Sequence, residues 1–89
     1  MFHVLILDIR PELSQKPIYE ANSTSVVLPG TEGEFEILDF HKPIISKLKK
    51  GTIMVDNFKE IFIQGGVAKM QYQSLVALVQ PQDQTAGVE

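Results

Sequence analysis

Short runs of β-branched, leucine or aromatic residues recur along this chain, each bounded by turn-forming residues, and that pattern reads as all-β. Phe2 to Ile9 predicts a first strand, whose continuous apolar stretch implies burial on both faces. Arg10 to Pro17 holds two prolines among polar residues and reads as a loop. Ile18 to Ala21 and Ser25 to Leu28 predict two brief strands around Asn22. Leu28-Pro29-Gly30-Thr31 suits a type II turn, because proline presets the negative φ of the second position and glycine accepts the positive φ of the third. Glu34-Phe35-Glu36-Ile37 then alternates charged and apolar residues. Its period of two sends Phe35 and Ile37 inward and both glutamates outward.

Ile44 to Leu48 and Gly51 to Val55 continue the series, and Asp56-Asn57 predicts a hairpin turn into Glu60 to Gln64. Gly65-Gly66 interrupts the next run, as at a bulge or a sharp strand bend. Val67 to Gln71 and Leu75 to Val79 read as a last hairpin, although Tyr72-Gln73-Ser74 carries no strong turn signal. The polar QPQDQTAGVE that follows predicts a frayed end. Residues 1–80 are thus expected to form one β domain, with 81–89 a flexible polar tail. Helical periodicity is missing throughout, so a compact β-sandwich or a partly closed barrel follows.

Composition narrows the chemistry. Eighty-nine residues without cysteine bound one domain with a modest core and no disulfide to staple it. Zero cysteines also fit a reducing compartment. The hydrophobic content of 44% is that of a globular domain, and the formal charge of −3 argues against nucleic acid, whose binders carry a basic patch. Lys47, Lys49 and Lys50 form a short basic run without interleaved aromatics, which reads as a solvated strand end. Val4-Leu5-Ile6-Leu7 stops at Asp8, far short of the roughly 20 residues a membrane helix needs. No membrane anchor is therefore expected.

Candidate catalytic groups do not assemble. His3 and His41 are the obvious general-base candidates, and neither has a second histidine or a cysteine at ligand spacing, so no metal centre is expected. Glu32, Glu34 and Glu36 invite an acid–base reading, yet no apolar pocket is evident that would drive two of their pKa values apart. The serines lie in no nucleophile-elbow setting. Gly65-Gly66 lacks the third glycine and following helix of a phosphate loop. Neither an enzyme nor a cofactor is expected. What remains is a binding domain with an acidic face over 32–36, able to meet a basic loop or, in an alternative reading, to capture a cation such as calcium.

Ser25 to Gly51, SVVLPGTEGEFEILDFHKPIISKLKKG, resembles the central signature of the epsilon subunit of F-type ATP synthases, the subunit called delta in mitochondria. That signature reads L-P-G-x-x-G-x-x-G-I-L-P-G-H-A-P, followed by an apolar pair and a leucine before a glycine. Leu28-Pro29-Gly30, Gly33, Ile37-Leu38, His41, Pro43, Ile44-Ile45, Leu48 and Gly51 occur here in that order and near that spacing. Phe62-Ile63-Gln64-Gly65-Gly66-Val67-Ala68 is similar to the family's F-x-x-G-G-F-A/V strand pair, and Leu75 to Val79 to its closing strand.

The resemblance implies a flattened sandwich of two antiparallel sheets and a non-catalytic place in the central stalk. The partners it implies are the gamma subunit, the polar loops of the c-ring and, indirectly, the alpha and beta catalytic ring. The membrane is reached only through the complex, at the cytoplasmic face of the inner (plasma) membrane. By motif position, Thr31, Glu32, Gly33 and Glu34 are implied to face the c-ring, and Phe40, His41, Lys42 and, on the first strand, Asp8 to face gamma. Glu36 stands where the family commonly has glycine, Asp39-Phe40 replaces Pro-Gly, and Lys42 replaces alanine, so the turn before His41 must be built differently. Ten residues follow Val79, too few for the two-helix domain that many epsilon subunits carry. The β domain alone is expected.

Overall fold

A strict inside–outside alternation shapes the first strand, β1 (Phe2–Asp8). Phe2, Val4, Ile6 and Asp8 turn inward and are buried, whereas His3, Leu5 and Leu7 turn outward and are half-covered. The expected burial of both faces is therefore not met. A period of two divides the apolar run between the core and the outer surface of a sheet, and hydrophobicity alone does not reveal that division. The computed structural model describes residues 1–13, 15–40 and 42–82. After β1 come a one-turn 3-10 helix (Pro11–Leu13), β2 (Tyr19–Ser23), β3 (Ser25–Gly30), β4 (Gly33–Leu38), β5 (Ile44–Leu48), β6 (Gly51–Val55), β7 (Lys59–Gln71) and β8 (Ser74–Pro81).

One strand organises the rest. β7, expected as two pieces, is continuous over 13 residues. Its first half pairs with β6, from Val55↔Lys59 to Gly51↔Ile63. Its second half pairs with β5, from Leu48↔Gly66 to Ile44↔Met70. One layer thus runs β4-β3-β6-β7 and the other β5-β7-β8-β1-β2, the β-sandwich anticipated from the strand pattern. The backbone of β7 continues from one layer into the other, and a single bridge, Gly30↔Leu48, joins β3 to β5 at the corner. All neighbours are antiparallel except β1 and β8, which are parallel from His3↔Ser74 to Asp8↔Val79. A wholly antiparallel arrangement is corrected at that pair; alternation within a strand is the same for either direction.

The core is filled by the inward residues of both layers, among them Phe2, Ile6, Leu28, Ile37, Ile53, Ile63, Met70 and Leu75. Phe35 and Ile44 pack against it at half burial. The β6–β7 turn forms where expected: Asp56 and Asn57 both take positive φ (53° and 62°), the conformation that suits a hairpin between twisted strands. The β7–β8 turn is also tight, with Tyr72 and Gln73 at 54° and 63°. Neither residue is the glycine or asparagine that normally signals such a turn. At the far end β8 continues to Pro81, which pairs with Ile63, and the Gln82 N–H donates to the Phe62 carbonyl at 3.0 Å. The polar-tail expectation otherwise falls on 83–89, outside the described residues.

The predicted irregularity at Gly65-Gly66 is present as a register shift between Ile63 and Gly65 against β8. Gly66 permits it by lacking a side chain. A Cβ there would stand 2.3 Å from the Leu78 carbonyl oxygen and 2.8 Å from the Val79 Cα, whereas one on Gly65 would meet only the Leu48 carbonyl oxygen, at 3.4 Å. Gly66→Ala is expected to destabilise the domain by roughly 1–3 kcal/mol, the range for overpacking a tight site, and Gly65→Ala by clearly less. Urea melts of the two variants check this ordering, and equal losses would contradict it.

Candidate functional site

Two sets of exposed residues stand at opposite ends of the β3–β4 pair. At one end Gly30 pairs with Gly33, so Thr31 and Glu32 form a two-residue hairpin tip, with Gly33 at φ 129°. The expected type II turn over Leu28–Thr31 is not formed, because Pro29 and Gly30 are still strand. The Lys49 N–H donates to the Pro29 carbonyl at 2.8 Å and the Thr31 N–H to the Lys47 carbonyl at 3.0 Å. The turn is thereby displaced outward by the pairing of β3 with the β5–β6 bend. Gly30 lies under the Phe35 ring, where a Cβ would come within 2.8 Å of Phe35 Cε1. Phe35 and Ile37 point inward as expected, and Glu34 and Glu36 outward.

The structure brings Thr31, Glu32, Gly33 and Glu34 together as one exposed tip. Its charge is mixed, since exposed Lys49 and Lys50 lie on the adjoining bend. Glu36 is set apart from the tip: its carboxylate accepts a 2.6 Å hydrogen bond from Ser25 Oγ. Among the described residues no three acidic or histidine side chains converge as a cation shell would require.

The other end is aromatic. Phe40 is 86% exposed and Tyr72 88% exposed, and Met1 and Phe58 are also exposed. Every non-glycine residue of positive φ among the described ones (Phe40, Asp56, Asn57, Tyr72 and Gln73) lies at this end. Asp39 and Phe40 are held by two neighbours. The Met1 ammonium meets Asp39 Oδ2 at 2.6 Å. Gln73 Oε1 accepts from the Phe40 N–H at 2.9 Å, while its Nε2 donates to Asp39 Oδ1 at 3.2 Å. The ammonium, with help from Gln73, keeps the Asp39 carboxyl below the usual carboxylate range. Lys42 is exposed at the same loop, and His41 lies outside the described residues.

Asp8 does not join Phe40. Register carries Asp8 through Val79, Gly66 and Leu48 to Gly30, the level of the acidic tip. Its side chain is only 7% exposed and is gripped by Arg10, with Nε to Oδ1 at 2.9 Å, Nη2 to Oδ2 at 2.6 Å and the Arg10 N–H to Oδ1 at 2.9 Å. Those hydrogen bonds lower its pKa from the ordinary 3.8 to about 2. A carboxylate so occupied ends a strand and offers little to a partner. His3, on the outer face of β1, meets Glu20 at 2.8 Å, a cross-strand pair without catalytic company.

Asp56 is the second structural carboxylate. Its Oδ1 accepts from the Thr24 N–H (2.9 Å), Thr24 Oγ1 (3.1 Å) and the Ser25 N–H (3.1 Å), which ties the β6–β7 turn to the start of β3. The Thr24 N–H is the foremost cause holding its pKa below the ordinary value. Sequence reading cast Asp56 as a turn former and missed this cap, for which the adjacent Ser23-Thr24-Ser25 was the available signal.

These features define a small β-sandwich with exposed residues at both ends of the β3–β4 pair. Comparison with known proteins agrees on the β-sandwich. Residues 13–81 match the family model described as the ATP synthase delta/epsilon chain, beta-sandwich domain. The chain belongs to this family, whose epsilon subunits are non-catalytic. It is 34% identical over 77 residues to ATP synthase epsilon chain 2 of Ralstonia nicotianae, covering 82% of this chain and 55% of that one. It is 38% identical over 65 residues to the ATP synthase epsilon chain of Campylobacter jejuni, covering 68% and 50%. The chain thus spans about half the length of the curated relatives it matches.

Solved structures share the fold as well. A chain of the Tetrahymena thermophila mitochondrial ATP synthase central stalk and c-ring superposes with a TM-score of 0.70 at 11% identity, over 88% of this chain and 62% of that one. A chain of the Euglena gracilis mitochondrial ATP synthase gives 0.62 at 20% identity, over 89% and 51%.

The lowered carboxylates set an acid limit. Asp8, Asp39 and Asp56 all have depressed folded-state pKa values, so the stability they contribute is complete above the unfolded value near 3.8 and is lost as pH falls through the folded values. Unfolding free energy is expected to be level with respect to these groups at neutral pH and to decline between about pH 4 and pH 2. Asp8→Asn should flatten part of that decline while lowering stability at pH 7. Urea titrations across the pH series measure both effects.

Proposed function

We propose that this chain is the β-sandwich portion of a non-catalytic central-stalk rotor subunit of an F-type ATP synthase. It docks on gamma through the Phe40–Lys42 loop and on the polar c-ring loops through the tip formed by Thr31, Glu32, Gly33 and Glu34. By joining the two it helps couple ion-driven rotation to ATP synthesis on the alpha and beta subunits. It meets the membrane only through the complex, at the cytoplasmic face of the inner (plasma) membrane. Asp8 contributes here by fixing the end of β1 with Arg10 rather than as a contact.

The observation that carries this reading is the opposite placement of the two exposed sets along one strand pair. β4 spans six residues from Gly33 to Leu38, about 20 Å at the rise of an extended strand. Its ladder to β3 is continuous from Ser25↔Leu38 to Gly30↔Gly33. Paired backbone resists stretching and bending, so a lateral load on the tip reaches the Phe40 end with little loss. A domain that must turn with two partners needs such stiffness.

Glu34→Lys places a cation where the reading puts an anionic contact, and Glu34→Ala removes it. In membranes assembled with these variants, ATP-driven proton pumping is expected to fall further with Glu34→Lys than with Glu34→Ala, while the fold is retained because Glu34 is exposed. Affinity capture of the tagged chain from membranes is expected to recover gamma and the c-ring. Recovery of a folded domain with no synthase subunit would overturn the proposal.

A further inference from the structure

Gln73 makes more contacts with distant parts of the chain than a hairpin turn requires. It occupies the second position of the β7–β8 turn at φ 63°, a conformation that disfavours any residue but glycine, asparagine and aspartate. A turn selected for backbone comfort alone would carry one of those. Its side chain instead reaches over to the β4–β5 connection and makes three hydrogen bonds there and at the chain start. Oε1 accepts from the Phe40 N–H at 2.9 Å, and Nε2 donates to Asp39 Oδ1 at 3.2 Å and to the Met1 carbonyl at 3.3 Å.

Both ends of the amide are therefore used, and their polarity is set: the acceptor faces a backbone donor, the donor faces a carboxylate and a carbonyl. The residue these contacts hold is Phe40, itself at φ 62° with its ring in solvent. A bulky residue in the left-handed region is strained and persists only where the surroundings over-determine it. The turn also exposes Tyr72, at φ 54°. Two solvent-facing aromatics are thus displayed on adjoining turns by one amide clamp. Aromatic side chains presented at low conformational entropy are the side chains that dominate protein interfaces.

We propose that Gln73 is a positioning residue for the gamma-docking surface, preorganising the Phe40 loop, and that Tyr72 beside it belongs to the same surface. This inference rests on the gamma-docking reading above and names residues that the family signature over Ser25–Gly51 does not contain. Clamping the loop before association spares the ordering cost at the moment of binding. The clamp's contribution therefore shows in affinity even though Gln73 need not touch the partner.

Gln73→Gly tests this most cleanly. Glycine accepts the positive φ without strain, so the hairpin folds at least as well while the clamp is lost. Amide hydrogen exchange of the variant chain is expected to speed at Phe40 by roughly tenfold, the equivalent of one lost hydrogen bond, with Val4 and Val26 amides unchanged. Affinity for the isolated gamma subunit, measured by calorimetry, is expected to fall about five- to tenfold. The same substitution made in a Phe40→Ala background is expected to cost little more, because Gln73 acts through Phe40.

Tyr72→Ala is expected to weaken gamma binding with Phe40 exchange unaltered. Unchanged Phe40 exchange in Gln73→Gly, or full additivity with Phe40→Ala, would overturn the positioning role, and unaltered affinity in Tyr72→Ala would remove Tyr72 from the surface. If the wild-type chain itself fails to bind gamma, the docking reading and the Tyr72 assignment fall together. The exchange data then still decide whether the clamp exists.

Discussion

The close approach of β7 to β8 at Gly66 is the constraint on which this architecture depends. A single strand serves both layers because its register slips next to Gly65 and because no side chain stands between Gly66 and the Leu78 carbonyl. Through that point β6, β3 and β4 are joined to β5, β8, β1 and β2. The inward residues of the two layers then share one core, which is how a chain of 89 residues without cysteine gathers enough buried apolar surface to fold. A bulge in a long shared strand is a common way to turn one sheet into two facing layers.

Each end of the β3–β4 pair is finished by local chemistry that leaves side chains exposed. At the tip, pairing with the β5–β6 bend keeps Pro29 and Gly30 extended and pushes the turn out to Thr31 and Glu32. At the opposite end, Asp56 caps the start of β3 while Gln73 and the Met1 ammonium hold Asp39-Phe40. The tip carries charge and the other end carries aromatic rings. A domain bridging two partners of different surface character is served by this asymmetry, since charge sets orientation and encounter and buried rings supply most of the affinity.

Sequence patterning revealed the strands well where one face is apolar and the other polar. Glu34 to Ile37, Ile44 to Leu48 and Gly51 to Val55 lie where alternation puts them, and Asp56-Asn57 and Gly65-Gly66 act as the turn and the irregularity their chemistry suggests. Pro29-Gly30 misled because the deciding hydrogen bonds come from Lys49 and Lys47, distant in sequence. The Tyr72-Gln73 turn was hidden because its support is a side-chain clamp rather than a glycine. The parallel pairing of β1 with β8 leaves no mark in either strand's alternation. For the candidate site, Thr31 to Glu34 could be grouped from the motif alone. Asp8 could not be placed, since only register through four strands puts it at the level of Gly30 and only geometry shows Arg10 gripping it.

The absence of native cysteine permits a direct test of the central claim, that the two ends of the β3–β4 pair face different partners. Single cysteines introduced at Thr31 and at Lys42, both exposed, can be cross-linked one at a time within assembled membranes. The account predicts that Thr31→Cys links to the c subunit and Lys42→Cys to gamma, without exchange between them. Both positions linking to the same subunit, or neither linking to the synthase in membranes that contain the incorporated chain, would contradict it.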